Sequence, residues 1–241
     1  MSIEPHDQTR GDSTLFFNDS KAAPLSRNEV ASLCMKAARG AGMSWGMAEE
    51  AGYAAAWLVT HGIDGPEHLS AHLEQAQGRE WAALCPNVRL GNWRSAAGRA
   101  LCPIVLGATL CDHAALSEGP VADCSITLGM VDHPILLLPF LAEIVRANGL
   151  LITVECAAGR VCIGESASWL KSAVHLLSGP EADLTLTARK GKPQTPPALT
   201  TRDAQTSAET ISALTTFAMH TTVPASELSR AGAGSTLDDN D

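Results

Sequence analysis

The stretch 26–62 constrains this chain most, because it writes both ends of two successive helices and packs them with small residues. Ser26-Arg27-Asn28-Glu29 is a capping box: the serine hydroxyl accepts from the amide three residues on, and the glutamate reaches back to the serine amide. A helix is predicted from there to about Ala38, with Val30, Leu33, Ala37 and Ala41 along one face and Gly40 and Gly42 to end it. Ser44 caps a second helix that packs through Met47, Ala51, Ala54, Ala55 and Leu58 and stops at Gly62. So many small side chains allow close helix–helix approach, and a helical hairpin is expected. Asp64-Gly65-Pro66 then turns the chain, with Pro66 suited to the first position of a third helix ending near Ala76.

Between 78 and 98 the periodicity breaks, and Trp81, Cys85-Pro86, Gly91 and Trp93 suggest irregular structure. The apolar run 104–116 reads as a buried helix opened by Pro103. The second half changes character. A strand is predicted over 125–130, then an apolar helix opened by Pro134 or Pro139 and stopped at Asn148-Gly149. Residues 151–156 alternate as a strand, Ala157-Ala158-Gly159 reads as a three-residue hairpin connection, and 160–164 as the partner strand. Leu184, Leu186 and Ala188 mark another strand, 190–197 a surface loop, and a last helix from about Ser207 carries Ile211, Leu214, Phe217 and Ala218. The fold class is therefore α+β: a helical N-terminal half packed on a small mixed, mainly antiparallel sheet with flanking helices. The expected organisation is a flexible lead over 1–24 and one domain over 25–223. Its helical part covers 25–117 and its sheet-containing part 120–220, and a tail follows over 224–241.

At 241 residues with 45% hydrophobic content, the chain can bury a generous core. Its net charge of −9 and lack of any basic run argue against nucleic acid, whose phosphates demand clustered lysine and arginine. The polar N-terminus lacks the apolar core of a secretory signal, and the most apolar stretch, 135–145, is too short to span a bilayer. A soluble protein of the cytoplasm is expected, away from membranes. The seven cysteines, an odd number in largely apolar settings, are then expected to be reduced.

The densest set of potential metal ligands is Cys111-Asp112-His113, Cys124 and Asp132-His133. Their spacing matches no zinc framework, so no metal site is expected; the thiols read as core and the Asp-His pairs as element ends. His68 and His72 stand four apart on the third helix and face the same way, but with Glu67 and Glu74 beside them they read as a solvated helix face. Glu49-Glu50 reads as helix surface. Thr60-His61-Gly62 resembles the Ser-His-Gly stretch of the malate/L-lactate dehydrogenase family that is unrelated to Rossmann enzymes, where the histidine is a proton donor. That likeness covers some twenty residues and has threonine for serine, and the residues alone read as a helix C-cap near the negative end of the dipole.

Two further stretches carry a family resemblance. One runs from Leu25-Ser26-Arg27-Asn28-Glu29-Val30 through Lys36-Ala37-Ala38-Arg39-Gly40-Ala41-Gly42, Trp45-Gly46 and Ala48-Glu49-Glu50-Ala51-Gly52. The other is Val223-Pro224-Ala225, Glu227, Ser229-Arg230, Gly232-Ala233-Gly234 and Asp239-Asn240-Asp241. Together they resemble a bacterial family designated domain of unknown function 3726, from about residue 25 to the end. The resemblance implies one unit and brings no activity with it.

The leading expectation is an enzyme, or enzyme subunit, acting on a small anionic metabolite. Its site is expected between the segment holding Lys36, Arg39, Trp45, Glu49 and Glu50 and the tail holding Glu227, Ser229, Arg230, Gly232 and Gly234. Arg230 is the principal cation in that reading, since a guanidinium can hold a carboxylate or phosphate bidentately, while the glycines allow close backbone approach. His61 and Glu227 are the catalytic candidates, and no cofactor is indicated. The alternatives are a non-catalytic partner protein, assembling with itself or with an enzyme subunit, and a divergent relative of the malate/L-lactate dehydrogenase family using His61.

Overall fold

The capping box closes as the sequence predicts: the Glu29 amide donates to Ser26 Oγ at 3.3 Å and the Ser26 amide to the Glu29 carboxylate at 2.8 Å. From it runs α1 (Arg27–Gly40), followed by α2 (Trp45–Thr60) capped by Ser44 and α3 (Gly65–Ala76) capped by Asp64. The computed structural model describes residues 25–196 and 206–221. The expected lead over 1–24 and the tail, with Glu227, Ser229, Arg230, Gly232 and Gly234, lie outside the described residues.

The small residues do what their size allows. A Cβ on Gly52 of α2 would sit 2.6 Å from the Ala31 carbonyl oxygen of α1, so the expected hairpin closes to a distance at which only glycine fits. Buried Val30, Cys34, Ala37 and Ala38 of α1 meet Ala48, Ala51, Ala55 and Leu58 of α2 in the same hydrophobic core as the sheet.

After α3 comes the predicted irregular stretch, holding a short 3-10 turn at Trp81–Leu84, and then α4 (Pro103–Asp112). This helix stops short of the expected residue 116, because His113 occupies its C-cap and its ring bonds the Thr109 carbonyl at 2.9 Å. Next is β1 (Ser125–Asp132), a 3-10 turn at Pro134–Leu137, α5 (Leu138–Asn148), then β2 (Leu150–Cys156) and β3 (Gly159–Ile163). Both candidate prolines are used: Pro134 opens the 3-10 turn and Pro139 lies in the first turn of the helix.

The β2–β3 connection is shorter than predicted. Gly159 pairs with Cys156 inside the ladder, which leaves only Ala157 and Ala158 in the loop. Sequence reasoning also missed α6 (Trp169–Leu177), although its buried Trp169, Leu170, Ala173 and Leu177 recur at helical spacing. The chain finishes with β4 (Glu181–Lys190) and α7 (Ala208–Met219), whose Leu214 and Phe217 are buried.

The sheet order is β1-β4-β2-β3 and every pairing between these four strands is antiparallel, while isolated parallel bridges join Asn92 and Leu101 to β1. That sheet and the seven α-helices among the described residues make the fold α+β, as the sequence implies. A bulge between Thr127 and Gly129 interrupts β1, with Gly129 at φ +75°, and alters the register of the strand that ends at Asp132. No helix of the described residues is long and apolar enough to cross a membrane.

Candidate functional site

Three elements distant in sequence deliver one polar cluster into the core. The backbone at Leu101 lies parallel to β1, its amide bonded to the Met130 carbonyl and its carbonyl to the Asp132 amide, at 2.9 and 3.1 Å. That pairing sets Cys102, the N-cap of α4, beside Asp132 at the end of β1. Pro103 follows, holding Cys102 in the extended conformation that a residue before proline prefers. His72 comes in from α3, completely buried.

His72 joins the other two. Its Nδ1 lies 2.7 Å from Asp132 Oδ2 and its Nε2 lies 3.2 Å from Cys102 Sγ. The carboxylate can only accept, so Nδ1 carries a proton and Nε2 faces the sulfur, ready to receive a proton from the thiol. Burial is the largest single influence on His72 and works against its charge. The Cys102 sulfur and the hydrogen bonds to Asp132 and Cys102 together outweigh it, and raise the imidazole from 6.5 to about 9. The helix N-terminus at Cys102 adds a positive field, which favours negative charge at that end. A thiol, an imidazole in reach of its proton and a carboxylate orienting that imidazole are the parts of a nucleophilic centre.

Asp132 has a second face. Among the described residues its buried Oδ1 has no hydrogen-bond partner; it lies 3.7 Å from Nε2 of His133, whose own buried Nδ1 likewise finds none there. His133 stands at φ 38°, a left-handed conformation uncommon outside glycine, and its amide is anchored to the Pro180 carbonyl at 2.7 Å. Burial lowers the His133 imidazole most, with His72 and His68 adding to the effect against Asp132 and Glu181. Thus the two imidazoles flanking one carboxylate are pushed in opposite directions, as acid and base partners at reactive sites commonly are.

The roof over the cluster belongs to the irregular stretch. The Trp81 ring stands edge-on to His72 at 6.2 Å, and its indole N–H donates to the Ala41 carbonyl at 3.2 Å. The Cys102 amide donates to the Leu84 carbonyl at 2.9 Å. Cys102 itself is 1% exposed.

The cluster corrects one reading and redistributes others. His72 is not on a solvated face; α3 turns it inward, where Asp132 and Cys102 satisfy both of its nitrogens. Cys111, His113 and Cys124 do not join His133: Cys111 faces the Phe140 carbonyl, His113 packs against Trp93, and Cys124 lies near the Ser125 carbonyl. Among the described residues no three histidine, cysteine or acidic side chains gather as metal ligands.

The expected ligand residues of the N-terminal segment lie elsewhere. Lys36 is exposed on α1. Arg39 donates to the Met43 carbonyl at 2.6 Å and stacks over Trp45 at 5.4 Å. Glu49 lines an acidic groove with Glu50, Asp112 and Glu143, where the Glu50 carboxyl is raised by burial and then by Asp112 and Glu49. His61 takes the predicted C-cap of α2, its Nδ1–H donating to the Trp57 carbonyl at 2.8 Å and its ring stacked on Trp57. Sequence reasoning noted His72 and Asp132 separately, counted Cys102 only among the seven cysteines, and did not connect them, because no local spacing joins positions brought together by tertiary pairing.

Fold and cluster together define an α+β protein with a sealed thiol–imidazole–carboxylate centre. The family described as "Protein of unknown function (DUF3726)" matches residues 25–102, the segment that carries the N-terminal motifs of the resemblance. The match takes in His72 and ends on Cys102, without reaching the C-terminal motif. No curated protein and no solved structure matches the chain.

Proposed function

We propose that this protein is a thiol-dependent enzyme whose nucleophile is Cys102. His72 takes the thiol proton, Asp132 holds His72 in the required tautomer, and the sulfur attacks an electrophilic carbonyl carbon to give a thioester. His72 then returns the proton to the leaving group, and water or another acceptor releases the acyl group. The observation that carries this reading is the continuous Cys102–His72–Asp132 chain of contacts at 3.2 and 2.7 Å. A bulky substrate reaches Cys102 only if the stretch holding Trp81 and Leu84 moves aside, so opening belongs to the proposed cycle.

The test uses p-nitrophenyl acetate as an artificial acyl donor. A burst of one nitrophenolate per chain is expected, with acetyl mapped to Cys102 and no burst from Cys102→Ser or His72→Gln. Acetylation confined to the more exposed Cys124 or Cys156 would remove the proposal. A non-catalytic partner protein would then be the better reading, with Trp45 and Leu90, 63% and 72% exposed, as the side chains docking would cover.

The small anionic metabolite of the leading expectation has its best support in a cavity of about 380 Å³ lined by Arg27, Arg146, His61, Tyr53 and Trp57. Arg146 is partly neutralised by Glu143, while Arg27 and the aromatic rings offer charge and stacking surface to a flat anion. A thermal-shift series with inorganic phosphate, citrate and AMP tests this; stabilisation lost in Arg27→Ala supports it, and no shift with any of the three rejects it. All seven cysteines are unpaired thiols, which supports placement in a reducing compartment such as the cytoplasm.

A further inference from the structure

We propose that Cys102 and Cys85 form a redox pair, in which a hydroperoxide oxidises Cys102 and Cys85 resolves the product as an intramolecular disulfide. The inference rests on the reading of Cys102 as a nucleophile and adds a second reaction to it. The backbone makes the pairing feasible: the Cys102 amide is bonded to the carbonyl of Leu84, the residue before Cys85, at 2.9 Å. Standard covalent dimensions then hold the two α-carbons within about 7 Å, close to the separation a disulfide spans. Both side chains lie on the His72–Trp81 side. The Cys102 sulfur meets His72, and the Cys85 thiol donates to the Trp81 carbonyl at 3.3 Å. The two sulfurs sense each other, since Cys85 is raised by burial and then by the Cys102 charge. Disulfide closure needs each side chain to turn away from its present partner, a change between staggered rotamers that is open to half-buried Cys85 and, for buried Cys102, accompanies movement of the Trp81–Leu84 stretch.

The enclosure chooses the oxidant. Cys102 is nearly inaccessible, so a small uncharged hydroperoxide can approach it where larger electrophiles need the roof to open. The steps balance. The Cys102 thiolate attacks the distal oxygen, an S–O bond forms, the O–O bond breaks, and the departing alkoxide or hydroxide takes a proton from the His72 imidazolium. Cys85 then attacks the sulfenyl sulfur, an S–S bond forms, the S–O bond breaks, and hydroxide leaves as water with the Cys85 proton. Sulfur supplies two electrons in the first step, and an external dithiol returns them by exchange at Cys85, the more exposed of the pair.

The experiment treats the full-length protein with hydrogen peroxide, blocks thiols with N-ethylmaleimide and maps non-reduced peptides. A Cys85–Cys102 disulfide is expected in the wild type. Cys85→Ser should instead yield a dimedone adduct on Cys102, and Cys85→Ala the same should serine disturb the local hydrogen bond. A dimedone adduct on Cys102 in these variants, with no Cys85–Cys102 disulfide in the wild type, overturns the pairing and leaves the nucleophile standing. No adduct on Cys102 in any of the three proteins, together with no acetylation by p-nitrophenyl acetate, overturns both.

Discussion

The Oδ2 of Asp132 lies 2.7 Å from Nδ1 of His72, although sixty residues separate them and both are hidden from water. A bond of this kind is strong in a low-dielectric interior and costly to break from one side, because the remaining partner keeps its charge without compensation. Asp132→Asn preserves the shape but offers an amide that cannot hold the imidazolium. The rate of Cys102 alkylation by iodoacetamide, followed by mass spectrometry, should fall on the order of 10²-fold or more, as expected when the orienting carboxylate of a triad is lost. Equal rates in the two proteins would show that Asp132 only fills space.

The opposed histidines give stability a defined pH dependence. His72 is raised to about 9 in the folded protein against 6.5 unfolded, so the folded state binds the extra proton between those values. Its stabilising contribution is complete below about 6.5 and is lost as pH rises through about 9. Cys34 and Cys111, whose thiols burial pushes up to about 12, act in the same sense at higher pH, once the unfolded thiols ionise. His133 is lowered, so its contribution is complete above 6.5 and is lost as pH falls through its folded value. Urea unfolding midpoints should peak near neutrality and decline between pH 7 and 9. In His72→Gln that decline should start only near pH 9, where the cysteines take over. A wild-type curve flat from 7 to 9 means that the folded state binds no extra proton there, so that any proton on His72 comes from Cys102.

Most of the framework was legible because its signals are local. Ser26 and Glu29, Asp64 and Pro66, and Asn148-Gly149 mark element ends through contacts within a few residues. The alternation of 151–156 names a strand wherever it is placed. The site was not legible in this way. His72 beside Glu74 looks like a surface histidine until α3 is rotated against β1, and Cys102 looks like a buried apolar thiol until Leu101 pairs with β1. Glu67 and Glu74 are indeed exposed, so the mistake lay in extending their face to His72, which is two residues from Glu74 and therefore on the other side of the helix. The missed α6 has a different cause: Ser166 and Ser168 before it and Ser178-Gly179-Pro180 after it read as loop, and the nine-residue helix between them is short.

The hairpin of α1 and α2 gives a structural prediction independent of chemistry. Gly52→Ala places a methyl 2.6 Å from the Ala31 carbonyl oxygen and 3.1 Å from Met35 Cβ. Backbone oxygen cannot yield as a flexible side chain would, so the helices must separate, at a cost of about 1–3 kcal/mol despite alanine's better helix propensity. The melting temperature should drop by several degrees in scanning calorimetry, whereas Gly46→Ala, with nothing within 4 Å, should hold or raise it. A Gly52→Ala protein as stable as wild type would mean that the helices are farther apart than described.

Trp81 is the residue on which the enclosure of the centre can be tested. Its ring stands edge-on to His72, its indole is tied to Ala41 across the end of α1, and its carbonyl receives the Cys85 thiol. Removing the ring in Trp81→Ala deletes this part of the roof while leaving His72, Cys102 and Asp132 in place. Cys102 should then react with N-ethylmaleimide at least tenfold faster than in the wild type, and Trp81→Phe should fall between them. Loss of a large, partly buried ring also destabilises, by about 2–4 kcal/mol, so faster labelling could reflect unfolding alone. Cys34 separates the two, because it is wholly buried between helices far in sequence from the roof and reacts only when the core opens. Selective acceleration at Cys102, abolished when His72→Gln is added, is the expected result and makes Trp81 the gate to a reactive thiol. If Cys34 and Cys102 accelerate together, the ring is a wall of the core, and access to the centre must come from the His133 side.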